Sequence, residues 1–281
     1  MKVLITGGTG FVGSHIVEEL EKEHYLFLTV RNPYKISPSQ RVKIIPFSEE
    51  IDEIVLQTKP DTIVNCLGIL NEKGNSTFKK VHVEYVERLI EGAKKVKVKK
   101  IIHMSALGAD INSKSRYAKT KAEGEQIIKN SGIDYIILRP SIILGKGQKL
   151  FEDLKKFSKL TPIILAPQGK VQPVHIIDVV DTVRKSIENE NLKNMVIELC
   201  GNRIVSYKEL FEFALSYIGK KRIVIQMPSL FFWFMLPVFR LFPEPPVTED
   251  QLHLLEKDNV CSGKFPSQKD ILGKVRNPFR I

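Results

Sequence analysis

Cysteine is scarce in this chain, tryptophan occurs once, and no apolar run is long enough to cross a bilayer. The three cysteines, Cys66, Cys200 and Cys261, are odd in number and far apart. That spacing argues against a disulfide framework and offers no metal-ligand pattern, so no metal is expected. A reducing cytosol fits such cysteine usage. The longest apolar stretch runs from Leu230 to Leu241 and is broken by Pro237 and Arg240. A spanning helix needs about 20 apolar residues. No signal peptide is visible, because the N-terminus runs straight into a strand and a glycine turn. Repeats and low-complexity segments are absent, and no acidic residue occurs from His24 to Ser48.

What is present in excess is positive charge, with a formal net charge of +11. A basic balance suits acidic partners such as nucleic acid, anionic lipid or a phosphorylated cofactor, or is simply a lysine-rich surface. The densest basic run, from Lys94 to Lys100, joins a helical pattern to an apolar strand and lacks interleaved aromatics. It reads as a solvated helix end, and nucleic acid is not an expected partner. The chain is 43% apolar and 27% charged, an ordinary balance for a folded domain, which excludes disorder. Its 281 residues suffice for one large domain or for a nucleotide-binding domain with a smaller lobe.

The first half alternates short β-rich runs with helical periodicity. Strands are expected at Lys2–Thr6, Leu26–Val30, Val42–Phe47, Asp61–Cys66, Lys100–Met104 and Asp134–Arg139. Helices are expected at Phe11–Lys22, Phe78–Val96 and Tyr117–Asn130. Continuous apolar strands alternating with helices imply a parallel sheet covered on both faces. Right-handed crossovers then make it a doubly wound, Rossmann-type α/β fold. After Pro140 the regularity weakens. Helices read at Leu150–Lys159, Ile176–Glu188, Tyr207–Ile218 (with a Ser206/Glu209 capping box) and Thr248–Lys257. Extended runs read at Val171–Val174, Val196–Leu199 and Arg222–Gln226, and a proline-rich turn holds Pro243, Pro245 and Pro246. The expected division is a Rossmann domain over 1–145 and a smaller α/β lobe over 146–281, with roughly 171–200 interleaving back into the sheet.

Residues 6–13 read Thr6-Gly7-Gly8-Thr9-Gly10-Phe11-Val12-Gly13. Two glycine patterns overlap, one on Gly8, Gly10 and Gly13, the other on Gly7, Gly10 and Gly13. Either lets the chain turn sharply from strand to helix and lets backbone approach a pyrophosphate at the helix N-terminus. The position between strand and helix is the context that gives this motif weight. Gly7, Thr9, Gly10, Phe11, Val12 and Gly13 are therefore candidate dinucleotide-binding residues. The second strand ends Thr29-Val30-Arg31-Asn32-Pro33, where an NAD(H) site usually carries Asp or Glu for the ribose hydroxyls. Arg31 instead offers a guanidinium to a 2′-phosphate, which favours NADP(H), with NAD(H) as the alternative.

Tyr117 and Lys121 are four residues apart on an expected helix and so share a face. A neighbouring ammonium favours the phenolate and would lower the phenol's pKa, equipping Tyr117 as a general acid/base. Tyr217 and Lys221 repeat the spacing, but only the first pair follows the fifth strand. Ser105, at that strand's carboxyl end, is placed to donate to a substrate carbonyl.

The glycine loop, Ser105, Tyr117-x-x-x-Lys121 and Arg139-Pro140-Ser141 together resemble the extended or atypical short-chain dehydrogenase/reductases. The phrases His103–Ala109, Thr120–Glu125, Gln172–Val179, Thr248–Leu252 and Asp258–Val260 are similar to the branch holding the 39-kDa-type accessory subunit of respiratory complex I and its free-standing prokaryotic relatives. The resemblance covers nearly the whole chain. It implies an oxidoreductase or epimerase acting by hydride transfer, or a non-catalytic nucleotide-binding subunit or redox sensor of the complex I-associated kind. It also implies Tyr117 as acid/base, Lys121 on the nicotinamide ribose, and Ser105 orienting a small-molecule substrate. Leu67 and Gly68 would lie beside the cofactor, with the backbone of Pro140, Ser141 and Ile142 near the nicotinamide. The chain departs from the family where many members carry asparagine in the long helix and it has His82.

The stretch Leu230–Phe239 is apolar nearly all round. Such a segment must be covered by something. The readings are a core helix of the smaller lobe, a wall for a hydrophobic substrate, a protein contact, or a membrane surface reached through residues 230–242. The expected location is cytoplasmic, with a peripheral place at the inner face of the membrane as a further reading.

Overall fold

The structure, a computed structural model, describes residues 1–32, 39–242 and 245–281. Pro33 and Pro243 lie outside the described residues.

In chain order the Rossmann part runs β1 (Lys2–Thr6), α1 (Phe11–Leu20), β2 (Tyr25–Val30), β3 (Val42–Pro46), α2 (Ile51–Thr58) and β4 (Thr62–Asn65). It continues with a π-type turn (Lys80–Glu84) opening α3 (Tyr85–Lys95), then β5 (Lys100–Met104), α4 (Arg116–Lys129) and β6 (Asp134–Pro140). The rest comprises β7 (Ile143–Leu144), α5 (Lys149–Leu160), β8 (Ile163–Pro167), β9 (Lys170–Val171), β10 (Val174–His175), α6 (Ile176–Glu188) and β11 (Met195–Leu199). After these come β12 (Val205–Ser206), α7 (Tyr207–Tyr217), β13 (Ile223–Met227), α8 (Ser229–Phe239), α9 (Glu249–Leu254) and α10 (Gln268–Leu272).

Seven strands form one parallel sheet in the order β11-β6-β5-β4-β1-β2-β3. Strand side chains alternate between two cores, as a period of two requires. Val3, Ile5 and Ile102 pack with Ile16 of α1 and Val179 of α6 on one face. Leu4, Ile63 and Ile101 pack with Val55 of α2, Leu89 of α3 and Ile128 of α4 on the other. The order reverses between β1 and β4, which opens a crevice at their carboxyl ends. The doubly wound α/β architecture read from the sequence is the one observed.

The smaller α/β region is built from two-stranded ribbons (β7/β10, β9/β12 and β8/β13) and α5 and α7, around Leu154, Ile164, Leu210 and Val224. The Ser206/Glu209 capping box starts α7 as expected. Five elements had no counterpart in the sequence reading: α2, β7, β8, β12 and α10. Helix α2 has only eight residues, and its Glu50 N-cap makes no side-chain capping bond, so its start carries no sequence signal. Beyond α9 the chain returns as a strap over the Rossmann part. Ser262 donates to Glu198, Gln268 bonds both main-chain groups of Cys200, and the Arg276 guanidinium meets the fully buried Asp178 at 2.6 Å.

That strap corrects the cysteine reading. Cys200, just past β11, and Cys261, on the strap, form a disulfide across 61 residues. Cys66 alone stays free. Spacing could not reveal the pair, because only the returning strap brings the two thiols together. The cysteine argument for a reducing compartment falls with it. By loop closure such a crosslink stabilises by up to about 4 kcal/mol. Urea unfolding of Cys261→Ser is therefore expected to show a loss of about 2–4 kcal/mol. Finding three free thiols in unreduced, denatured protein would contradict the pairing.

Candidate active site

The turn from β1 into α1 lies at the crevice and is shaped by what its glycines lack. Gly7 has φ +73°, and a Cβ there would stand 2.8 Å from the Cys66 carbonyl carbon and oxygen. A Cβ on Gly13 would overlap the Gly7 carbonyl and come within 2.8 Å of Gly8 Cα. Neither position accepts a side chain. At Gly8, by contrast, a Cβ would meet only side-chain atoms, the nearest at 3.3 Å. The geometry therefore selects the Gly7/Gly10/Gly13 pattern of the two that overlap. Gly10 is the N-cap of α1 and makes no side-chain cap, and the first turn carries no acidic residue. The first N–H groups of α1, Phe11 and Val12 among them, are left without intrahelical acceptors and with the positive end of the helix dipole. This cradle fits a pyrophosphate.

Arg31 follows β2 as an exposed residue. It stands on the same sheet edge as the glycine turn, since Thr6 and Thr29 are in register.

Across the crevice a row of polar side chains runs along in-register strand ends. Thr6 Oγ1 donates to Asn65 Oδ1 at 2.6 Å, and Asn65 Nδ2 donates to His103 Nδ1 at 3.0 Å. Asn65 Oδ1 also accepts from the Leu67 N–H, which fixes the Cys66–Gly68 turn beside the glycine loop. The network assigns the His103 proton to Nε2, which has no partner among the described residues. Burial, and then the Lys121 charge, hold His103 well below the usual imidazole range.

Lys121 is buried, donates to the Met104 carbonyl at 3.0 Å, and closes over Gly68, where a Cβ would stand 3.1 Å from Nζ. Burial lowers its pKa to about 8, partly offset by Cys66 and Glu125. Tyr117 lies in the first turn of α4 with its ring edge-on to His82 and Phe78, at 5.4 and 5.7 Å between centroids. Burial and the charge of Asp250 push its phenol up to about 12. The sequence reading expected the opposite direction, from Lys121. The ammonium is turned to the Met104 carbonyl, and desolvation dominates.

Ser105 also differs from expectation. Its hydroxyl, expected to face a substrate carbonyl, donates to Glu125 Oε1 at 2.6 Å. Glu125 is almost fully buried and takes a two-point bond from Arg139 and a further one from Lys129. A buried carboxylate needs such donors, and Ser105 is one of them. His82 is likewise a clamp. It accepts from the Ile69 N–H and bonds Thr120, and burial followed by Lys121 lowers its pKa to about 2. Its π-type turn sits where Gly124 of α4 approaches the His82 carbonyl too closely for any side chain.

Two groups around the site had no reading in the sequence. Asp250 of α9 caps α4, accepting from Ser115 Oγ at 2.8 Å and from the Arg116 and Tyr117 N–H groups. Asn259 accepts from Ser141 Oγ at 2.5 Å and pairs with Lys170 and Gln172, so the strap holds the chain just after Pro140. Ile142 turns into the smaller region's core. Both Asp250 and Asn259 lie in quoted phrases, but a contact across more than 100 residues leaves no local pattern. Thr9 is exposed at the mouth of the loop.

A family model described as "NAD dependent epimerase/dehydratase family" matches residues 3–199, and the chain belongs to that family. Over 80% of its length it is 29% identical to the Neurospora crassa mitochondrial NADH-ubiquinone oxidoreductase 40 kDa subunit, covering 62% of that protein. It is 26% identical to a putative UDP-glucose 4-epimerase of Methanocaldococcus jannaschii, covering 77% of this chain and 82% of that one. The chain spans only about three fifths of the length of most of the mitochondrial NADH dehydrogenase subunits it matches. Among solved structures it superposes on a nucleoside-diphosphate-sugar epimerase from Staphylococcus aureus with TM-score 0.76 and 18% identity, covering 99% and 98% of the two chains. Bordetella bronchiseptica WbmG, solved with NAD and UDP, gives TM-score 0.72 at 16% identity, covering 98% and 91%.

Two outcomes are expected. Gly13→Ala should weaken dinucleotide binding by at least about tenfold in calorimetry, while Gly8→Ala stays within about threefold. Equal losses at both would contradict the selected pattern. Lys121 is a buried cation whose folded pKa, about 8, lies below its unfolded value of 10.5. The charge therefore destabilises the fold fully below pH 8, and the penalty fades as pH rises towards 10.5. Lys121→Met should raise unfolding free energy by about 1–3 kcal/mol at neutral pH, with the gain vanishing in strong alkali. A destabilised Lys121→Met protein would contradict this.

Proposed function

From membership in this family we propose that the chain is an NADP(H)-binding oxidoreductase or epimerase of a small-molecule substrate. The observation that carries the reading is the uncapped N-terminus of α1 at the sheet's switch point, with Lys121 closing over Gly68 of the neighbouring turn. Gly7, Thr9, Gly10, Phe11, Val12 and Gly13 hold the pyrophosphate through backbone N–H groups. Leu67 and Gly68 flank the nucleotide on the β4 side, and Pro140, Ser141 and Ile142 flank its far end. Arg31, with no carboxylate from His24 to Ser48, meets a 2′-phosphate and favours NADP(H) over NAD(H). The WbmG structure holds NAD, so this preference is a property proposed for this chain.

When bound, the nicotinamide supplies or receives the hydride. Tyr117 gives or takes the matching proton at the substrate oxygen. Lys121 has its ammonium available below about pH 8 and holds ribose hydroxyls once Nζ swings from the Met104 carbonyl. Ser105 acts through Glu125 and Arg139, fixing α4 against β6. Since the ammonium is the working form, kcat/KM should fall as pH rises through about 8.

A second reading has its own support: a nucleotide-holding subunit that turns nothing over. The raised Tyr117 phenol and the committed Ser105 hydroxyl favour it, as does the likeness to the 40 kDa subunit. Titration with both cofactors, followed by turnover assays on carbonyl compounds and nucleotide sugars, separates the readings. The enzyme reading expects NADPH to bind at least about tenfold tighter than NADH, Arg31→Ala to erase that difference, and Tyr117→Phe to lose about a hundredfold in kcat while still binding. Tight cofactor binding without turnover of any substrate tested would overturn the enzyme reading.

A further inference from the structure

One face of the smaller region is apolar and predominantly basic. Helix α8 packs Phe232 and Leu236 onto Leu252 of α9, which buries one side of it. Its other side presents Leu230, Phe234 and Val238 at intervals of four, continued by Leu241 and Phe242. Phe234 and Leu241 are 77% and 83% exposed. A helix that shows a full apolar stripe to solvent is a docking element.

The ribbon that leads into α8 does the same. In β8 and β13, Ile164 and Val224 point into the core beside α5 and α7. Their neighbours Ile163, Leu165, Ile223 and Ile225 point outward as cross-strand pairs, Ile163 opposite Ile223 and Leu165 opposite Ile225. Only Pro228 separates β13 from α8.

The charge around these elements is mainly of one sign, and the Glu249 carboxylate of α9 is paired with Arg240 at 2.8 Å. No Asp or Glu occurs from Leu154 to Ile177 or from Phe213 to Phe242. Lys155, Lys156 and Lys159 are exposed near the end of α5, and Lys220 and Lys221 lie in the turn entering β13. The Arg222 guanidinium donates to the Ser158 carbonyl at 2.8 Å, which draws these two lysine groups to one end of the ribbon. Among the described residues none of the five lysines has a carboxylate partner.

We propose that this face docks on an anionic lipid surface, with α8 lying in the plane of the interface. Apolar side chains flanked by unpaired lysines match acyl chains beneath anionic headgroups. A second copy of the chain would bring like charges together at this face, which disfavours self-association there. No helix among the described residues is long and apolar enough to cross a membrane, and α8 has only 11 residues, so the attachment is peripheral.

The test uses the full chain in flotation with phosphatidylcholine vesicles, with and without phosphatidylglycerol, at low and high salt. Binding is expected only with phosphatidylglycerol and should weaken with salt. Phe234→Ser/Leu241→Ser and Lys220→Gln/Lys221→Gln should each cut it by at least about tenfold. Phe234, Leu241 and Lys221 are exposed and Lys220 is half-buried, so circular dichroism and urea midpoints should stay unchanged and confirm that the variants fold. Absence of binding to anionic vesicles at low salt, or binding untouched by both variants, would overturn the proposal. So would a concentration-dependent dimer in light scattering that Phe234→Ser disperses, which would assign the face to a second copy.

Discussion

The structure depends on a place where two backbones touch because neither has a side chain in the way. Gly7 lies against the Cys66 carbonyl across the β1–β4 boundary, and Gly13 lies against the Gly7 carbonyl one turn into α1. That double approach seats the helix N-terminus over the crevice, pointing its free N–H groups along the sheet's carboxyl edge. The row Thr6–Asn65–His103 and the Cys66–Gly68 turn are set by the same edge. An added Cβ at either glycine would have to move backbone, so the nucleotide cradle and the sheet's switch point are one construction.

The second part of the molecule is fastened to that edge at several polar points. Asp250 caps the helix that carries Tyr117 and Lys121, and Asn259 holds the chain after Pro140. The Cys200–Cys261 bond and the Arg276–Asp178 pair fix the strap on the far side. The candidate site is thus made by the Rossmann edge and braced by residues far along the chain. Its electrostatics follow from the burial of these side chains. Desolvation raises Tyr117, lowers Lys121 and keeps His82 and His103 neutral.

Legibility in the sequence follows how local each cause is. Strand runs such as Lys2–Thr6 and Lys100–Met104, buried along most or all of their length, carried their own signal, as did the Ser206 capping box. The glycine loop was legible as a loop, but which glycines are obligatory depended on a carbonyl about 60 residues away. The disulfide, the Asp250 cap and the Ser105–Glu125 bond were invisible because each joins positions that only the fold brings together. The Tyr117–Lys121 spacing put both residues on one helix, α4, but gave the wrong direction for the phenol. Burial, which spacing does not report, outweighs the neighbouring charge.

The most direct test of the account is a crystal structure of the chain with NADPH. It should place pyrophosphate oxygens within about 3 Å of the Phe11 and Val12 N–H groups, the distance of a hydrogen bond at a helix N-terminus. A pyrophosphate bound elsewhere, with the α1 N-terminus facing only solvent, would contradict it.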